Sequence, residues 1–176
     1  MKLSEQTFVV SDLHLGHEKI CELTERPPEY NELIIEGWNS VVNKHDKVIV
    51  LGDVSFVNRE KTRKYLEKMR GRKYLVRGNH DGATEKWFKD VGFVEILEPI
   101  YKRFKDKYEN YQTVLFTHEP VLDLPEDWFN IHGHLHGDGH RGEKPTPRHY
   151  DVSVEALGYK PMRVYEVLKE LNESNT

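Results

Sequence analysis

Five short apolar runs in this chain each break off into aspartate, asparagine or histidine. "TFVV" at 7–10 gives way to "SD", "KVIVL" at 47–51 to "GD" and "KYLV" at 73–76 to "RGNHD". "TVLF" at 113–116 gives way to "THEP", and "WFNIH" at 128–132 to "GHLHG". Unbroken apolar runs bounded by turn residues fit strands buried on both faces. Such strands need cover, and helical patterns lie between them. Residues 29–43 set Leu33, Ile34, Trp38, Val41 and Val42 close to one face. Residues 58–70 start on Asn58 as an N-cap, carry Tyr65, Leu66 and Met69 as an apolar stripe, and stop at Gly71 as C′. Residues 83–90 predict a shorter helix. Strands alternating with helices argue for an α/β architecture. Later segments (93–105, 113–118, 128–133, 149–155 and 162–166) are strand-rich with little helix, predicting a second, more mixed sheet packed on the first. Residues 137–149 form the most irregular stretch.

The 176 residues and 37% hydrophobic content suit one domain spanning 1–176. A net charge of -4 gives no bulk electrostatic reason to bind nucleic acid, although a local basic groove stays open. Cys21 stands alone, so no internal disulfide and no cysteine-rich zinc finger can form. The opening "MKLSEQTFVVSD" lacks the apolar core of a signal peptide, and no apolar run approaches the roughly 20 residues of a bilayer span. A soluble cytoplasmic protein without a membrane partner is the expectation.

In open α/β sheets, ligands bind beyond the carboxyl ends of the strands. Asp12 with His14, Asp53, Asn79 with His80 and Asp81, His118, and His134 with His136 would therefore converge from five segments. Carboxylate, imidazole and amide donors without thiolate suit divalent first-row metals. Alternation along an extended segment would put Asp12 and His14 on one face, and likewise His134 and His136. Gly52, Gly78, Gly133 and Gly137 let the backbone turn beside them. Seven donors exceed the needs of one four-coordinate zinc and suit two metals about 3.5–4 Å apart. Other uses exist: Asp12 and Asp53 could be helix N-caps, and Asn79 a left-handed turn residue. Neither use explains His14 or His118. His132 lies one alternation off and reads as packing or as support behind the donors, outside the site itself.

The series "SDLHLGH", "VLGDVSF", "VRGNHD", "FTHEP" and "IHGHLHG" resembles, in order, the D-x-H, G-D, G-N-H-D, H and G-H-x-H motifs of the calcineurin-like metallophosphoesterases. Around it, "RPPEYNELIIEGWNSVV" and "RHYDVSVEALGYKPM" resemble small single-domain prokaryotic and phage members. The resemblance implies a four-layer α/β/β/α sandwich of two mixed β-sheets flanked by helices. It implies Asp12, His14 and His136 on one metal, Asp53 bridging, and Asn79, His118 and His134 on the other. His80 would face the substrate and assist the leaving oxygen, with Asp81 orienting its ring. Two divalent ions are expected, Mn²⁺ first, with Fe, Ni, Co or Zn also fitting the donor set.

The implied activity is hydrolysis of a phosphate ester by metal-activated hydroxide. A chain this small has little room for a capping domain, so an open groove is expected. Such a groove admits diesters, including nucleotides and nucleic-acid ends, and phosphodiesterase activity is the favoured reading. A protein or small-molecule monoesterase and a non-catalytic metal-bound scaffold are the alternatives. The oligomeric state stays open between monomer and homodimer. His17, Arg26, Arg141 and Arg148 are candidate substrate contacts. His17 opens an expected helix, and arginine suits bidentate phosphate recognition. Each also has an ordinary surface use. Tyr101, Tyr108 and Tyr111 read as a hairpin surface.

Overall fold

The computed structural model describes residues 1–105, 111–137 and 146–175. Four parallel strands, β1 (Phe8–Val10), β2 (Lys47–Leu51), β3 (Arg72–Val76) and β4 (Phe93–Leu97), form the first sheet. The two-residue strand β9 (Met162–Arg163) pairs antiparallel with β1, giving the order β4-β3-β2-β1-β9. The second sheet has the order β5-β6-β7-β8: β5 (Ile100–Lys105), β6 (Tyr111–Phe116), β7 (Trp128–His132) and β8 (His149–Asp151). Its first pair is antiparallel and the other two are parallel.

Alternation along the first sheet serves two cores. Phe8, Val10, Val48, Val50 and Leu75 pack with helices α1 (Ile20–Thr24), α2 (Tyr30–Val41), α3 (Arg59–Lys68) and α4 (Glu85–Val91) through Ile20, Ile34, Trp38, Leu66 and Phe88. Val9, Ile49, Leu51, Tyr74 and Val76 point the other way, onto Val114, Phe116, Phe129 and Ile131 of the second sheet. Helix α5 (Val164–Ser174) adds Val164, Val167, Leu168 and Leu171 to this second core. The result is an α/β fold of two mixed sheets flanked by helices. No helix among the described residues is long and apolar enough to cross a membrane.

Most expected elements form. Asn58 caps α3, its side chain accepting from Lys61 N–H at 3.0 Å, whereas Thr84, not residue 83, opens α4. Three expectations change. Residues 93–97 join the first sheet beside β3 instead of the second. Gly71, with φ +83°, lies two residues past the Met69 C-cap and is not C′ itself. The stretch 162–166 is strand for only two residues and then becomes α5. There Val164, Val167, Leu168 and Leu171 recur at helical spacing, and the Glu166 carboxylate accepts the Arg163 N–H at 2.8 Å.

The strand ends that carry the polar clusters are stitched to one another. Ser11 N–H donates to Val152 O at 2.7 Å, and Val152 N–H to His132 O at 2.7 Å. Asp12 N–H donates to Gly52 O at 3.1 Å, and Gly133 N–H to His118 O at 2.9 Å. These bonds tie the carboxyl ends of both sheets into one floor.

Candidate metal centre

The donors leave the sheets by an unusual backbone route. Asp12 (φ 58°), His14 (45°), Asp53 (55°), His134 (71°) and His136 (54°) all sit in the left-handed region. The Asp-x-His and His-x-His pairs therefore do not converge by strand alternation, as β1 has ended at Val10 and β7 at His132. Each such residue costs about 1–2 kcal/mol and persists only where its surroundings over-determine it. Here they do. His14 N–H donates to Asp53 O at 2.9 Å, and His134 N–H to the Asp12 carboxylate at 2.8 Å. Gly52 and Gly133 make the close approach feasible. A Cβ on Gly52 (φ +89°) would lie 2.5 Å from Gly78 Cα and from His118 Nδ1. One on Gly133 would overlap Ser11 Oγ and the Asp12 carboxylate.

All seven expected donors come together. His14 Nε2 lies 3.7 Å from Asp12 Oδ1 and 3.5 Å from Asp53 Oδ2. His136 Nε2 is 3.6 Å from Asp12 Oδ1, and His118 Nε2 is 3.5 Å from Asp53 Oδ2. His118 Nε2 also lies 2.9 Å from Asn79 Oδ1 and 3.2 Å from His134 Nδ1. Two groupings have the compactness of ion sites, Asp12–His14–His136 and Asp12–Asp53–His118. Gaps of 3.5–3.7 Å are too long for hydrogen bonds, but suit donors that each sit about 2.0–2.2 Å from a shared ion. Asp12 Oδ1 and both His14 ring nitrogens are buried without a hydrogen-bond partner. Stranded polar atoms are costly, and a shared cation would satisfy Asp12 Oδ1 and His14 Nε2 together. The donor set fits a divalent metal.

Electrostatics agree. Burial acts to raise the Asp12 carboxyl, yet the imidazoles of His14, His118 and His136 outweigh it and hold it far below the usual carboxylate range. Burial lowers His14, favouring the neutral ring that a metal needs. Two rings are aimed by their far nitrogens. His118 Nδ1 is 2.7 Å from Leu51 O, and His136 Nδ1 is 2.9 Å from Glu155 Oε1. In each case Nδ1–H donates and Nε2 turns a lone pair inward.

Outside the donor set, the expected roles divide. His80 is 43% exposed, its Nε2 4.0 Å from Asp53 Oδ2, and its N–H donates to Asp53 Oδ1 at 3.1 Å. Asp81 does not orient that ring. Its carboxylate accepts the backbone N–H groups of Asp53 (2.8 Å), Gly78 (2.9 Å) and Val54 (3.1 Å), bracing the loops instead. Arg26 is not a phosphate contact. Only 3% exposed, it donates to Asp12 O, Leu13 O and Glu155 Oε1 at 2.7–3.0 Å. Arg148 is likewise engaged, donating to Pro125 O at 2.6 Å and Glu126 O at 3.1 Å, just before β8 and so away from the strand ends that carry donors. Arg141 and Tyr108 lie outside the described residues. His17 precedes the five-residue α1 by three positions and so does not open a helix, but its ring is 5.5 Å from that of His14.

Asn79 is not left-handed, and neither Asp12 nor Asp53 caps a helix. His132 is buried with Nδ1 2.8 Å from Gly133 O, in keeping with packing. Sequence reasoning passed over three residues. Glu155 grips both His136 and Arg26. The Tyr30 hydroxyl receives His17 N–H and donates to His14 O, each at 2.7 Å. Phe56 stacks against His14 and His17. Glu155 and Tyr30 act across long stretches of chain, and no local pattern announces them.

The family model for calcineurin-like phosphoesterases matches residues 6–174. An uncharacterized protein of Methanocaldococcus jannaschii, MJ1445, is 32% identical over 174 residues, covering 92% of this chain and 89% of its own. The gene 66 protein of Mycobacterium phage D29 is 38% identical over 200 residues, covering 94% and 97%. Among solved structures, a protein of unknown function from Aquifex aeolicus, AQ665, superposes with a TM-score of 0.67 at 25% identity, covering 93% of this chain and 97% of that one.

Proposed function

Since the chain belongs to the calcineurin-like phosphoesterase family, and so to the metal-dependent phosphoester hydrolases, we propose that it is a dinuclear phosphodiesterase acting on nucleotide-type and generic diesters. The observation that carries this reading is the buried, partnerless set of Asp12 and His14 atoms where Asp12, His14, His136, Asp53 and His118 meet, with Asn79 and His134 beside His118. Asp12, His14 and His136 would hold one ion and Asn79, His118 and His134 the other, with Asp53 contributing to both. Asp53 suits the shared position because its Oδ2 is 3.5 Å from both His14 and His118. Two divalent ions, Mn²⁺ in the first instance, would supply an activated water and neutralise charge on the phosphoryl oxygens.

The chain's own residues do the rest. His80, exposed above buried donors, hands a proton to the departing oxygen. Asp81 braces the Asp53 and Gly78 backbones, keeping that shared carboxylate and the loop that carries His80 in register. Leu51 O and Glu155 fix the tautomers of His118 and His136. The lone Cys21 suits work in the cytoplasm.

Protein stripped with EDTA and reloaded with Mn²⁺ tests the reading on bis-p-nitrophenyl phosphate and p-nitrophenyl phosphate. The expected result is metal-dependent turnover that favours the diester. A preference for the monoester would convert the reading to a phosphatase, and no turnover with any divalent metal would defeat it.

A further inference from the structure

We propose that Phe56 and His17 form a stacking seat for an aromatic ring carried by the substrate, a nucleobase or an aryl ester arm. This rests on the phosphodiesterase reading above and narrows it. Phe56 is 40% exposed, yet its ring lies flat against His17, with centroids 3.9 Å apart and planes 11° from parallel. The same ring is 5.0 Å from His80 and 5.1 Å from His14. One exposed apolar face thus borders both the proton donor and the donor cluster. A ring tethered to a phosphate there, directly or through a sugar, comes within reach of it.

The backbone that carries each ring is held before any ligand arrives. Phe56 N–H donates to Leu15 O at 3.1 Å, and Ser55 pairs with Leu15 as a parallel bridge. Ser55 Oγ meets Thr62 Oγ1 at 2.6 Å, tying the segment to α3. His17 N–H is held by the Tyr30 hydroxyl. Prior ordering lowers the entropic cost of binding. Aromatic platforms accept any base, because every base presents a π-face. The seat therefore selects for a ring and not for a particular sequence.

Adenosine 5′-monophosphate and ribose 5-phosphate differ only in the base, and calorimetric titration of each into Mn²⁺-loaded protein reads the seat directly. Wild-type protein should bind the nucleotide about tenfold more tightly, within the range that base–aromatic stacking supplies. In Phe56→Ala that preference should fall to less than twofold. Phe56→Leu, which keeps apolar bulk over His14 but loses the π-face, should lose it too, whereas Phe56→Trp should keep it. Equal affinities in the wild type, or a preference that survives both Phe56→Ala and Phe56→Leu, would overturn the seat and leave the phosphodiesterase reading intact. If neither compound bound, the seat would fall, and turnover of bis-p-nitrophenyl phosphate would still decide the phosphodiesterase reading separately.

Discussion

Lys73 offers a stability test whose size can be worked from the structure. It lies in β3 with only 7% exposure, its Nζ donating to Gly71 O at 3.3 Å. Burial pushes the ammonium from 10.5 down to about 8. The native state thus holds this proton less tightly than the unfolded chain does. Between pH about 8 and about 10.5 the unfolded chain carries the proton more often, so native stability rises with pH across that window. Below it, at neutral pH, the whole penalty is present. At about 1.4 kcal/mol per pH unit, the shift corresponds to about 3 kcal/mol, an upper figure for a side chain that keeps some contact with water. Lys73→Met retains the stem and removes the charge. It should stabilise the metal-free protein at pH 7 by about 1–3 kcal/mol, worth several degrees in Tm for a chain of this size. At pH 10.5 the advantage should shrink towards zero. Urea melts of both proteins at pH 7 and pH 10.5, both stripped with EDTA, give a double difference from which other titrations cancel. A gain independent of pH, or a loss at pH 7, would refute the argument.

Three further outcomes follow from the site. His80→Ala should lower diester kcat by about 10²–10⁴-fold while metal content stays the same, the two read by steady-state kinetics and elemental analysis; wild-type turnover would remove His80 from the chemistry. Asp81→Ala should destabilise the fold by about 2–4 kcal/mol in urea melts, since three backbone amides lose their acceptor; a neutral effect would contradict the bracing role. Glu155→Gln should weaken Mn²⁺ binding about 10–100-fold by titration calorimetry, because His136 loses the anion that fixes its ring; unchanged affinity would make that contact incidental.

What the sequence revealed and what it hid differ in range. An apolar run that stops at a polar cluster is a local signal, and it located β1, β2, β3, β6 and β7 with the donors at their ends. How those donors are delivered was hidden, because left-handed Asp12, His14 and His134 are held by bonds to other loops and not by their neighbours in sequence. The same holds for Arg26. An arginine near a phosphate site invites one reading, but its partner Glu155 lies 129 positions away. Asp81 shows the limit within a motif: adjacency to His80 suggested contact with its ring, whereas the carboxylate turns to the backbone of Asp53 and Val54. At the C-terminal end, "MRVYEVL" mixes β-branched and aromatic residues that favour strand. Burial of Val164, Val167, Leu168 and Leu171 against the second core, together with the Glu166 cap, selects the helix.

Five donor residues in a backbone posture that crowds L-amino acids should make the donor-bearing end of this molecule the first to loosen when cations are scarce. The buried Asp12 Oδ1 and His14 ring nitrogens then have no partner to offset that crowding. In a chelated sample, amide exchange should quicken first around residues 11–15, 52–54 and 133–137, and slow again as metal is returned, while β2 and β3 hold throughout. Metal supply would then set how ordered the working end is, as well as whether it works.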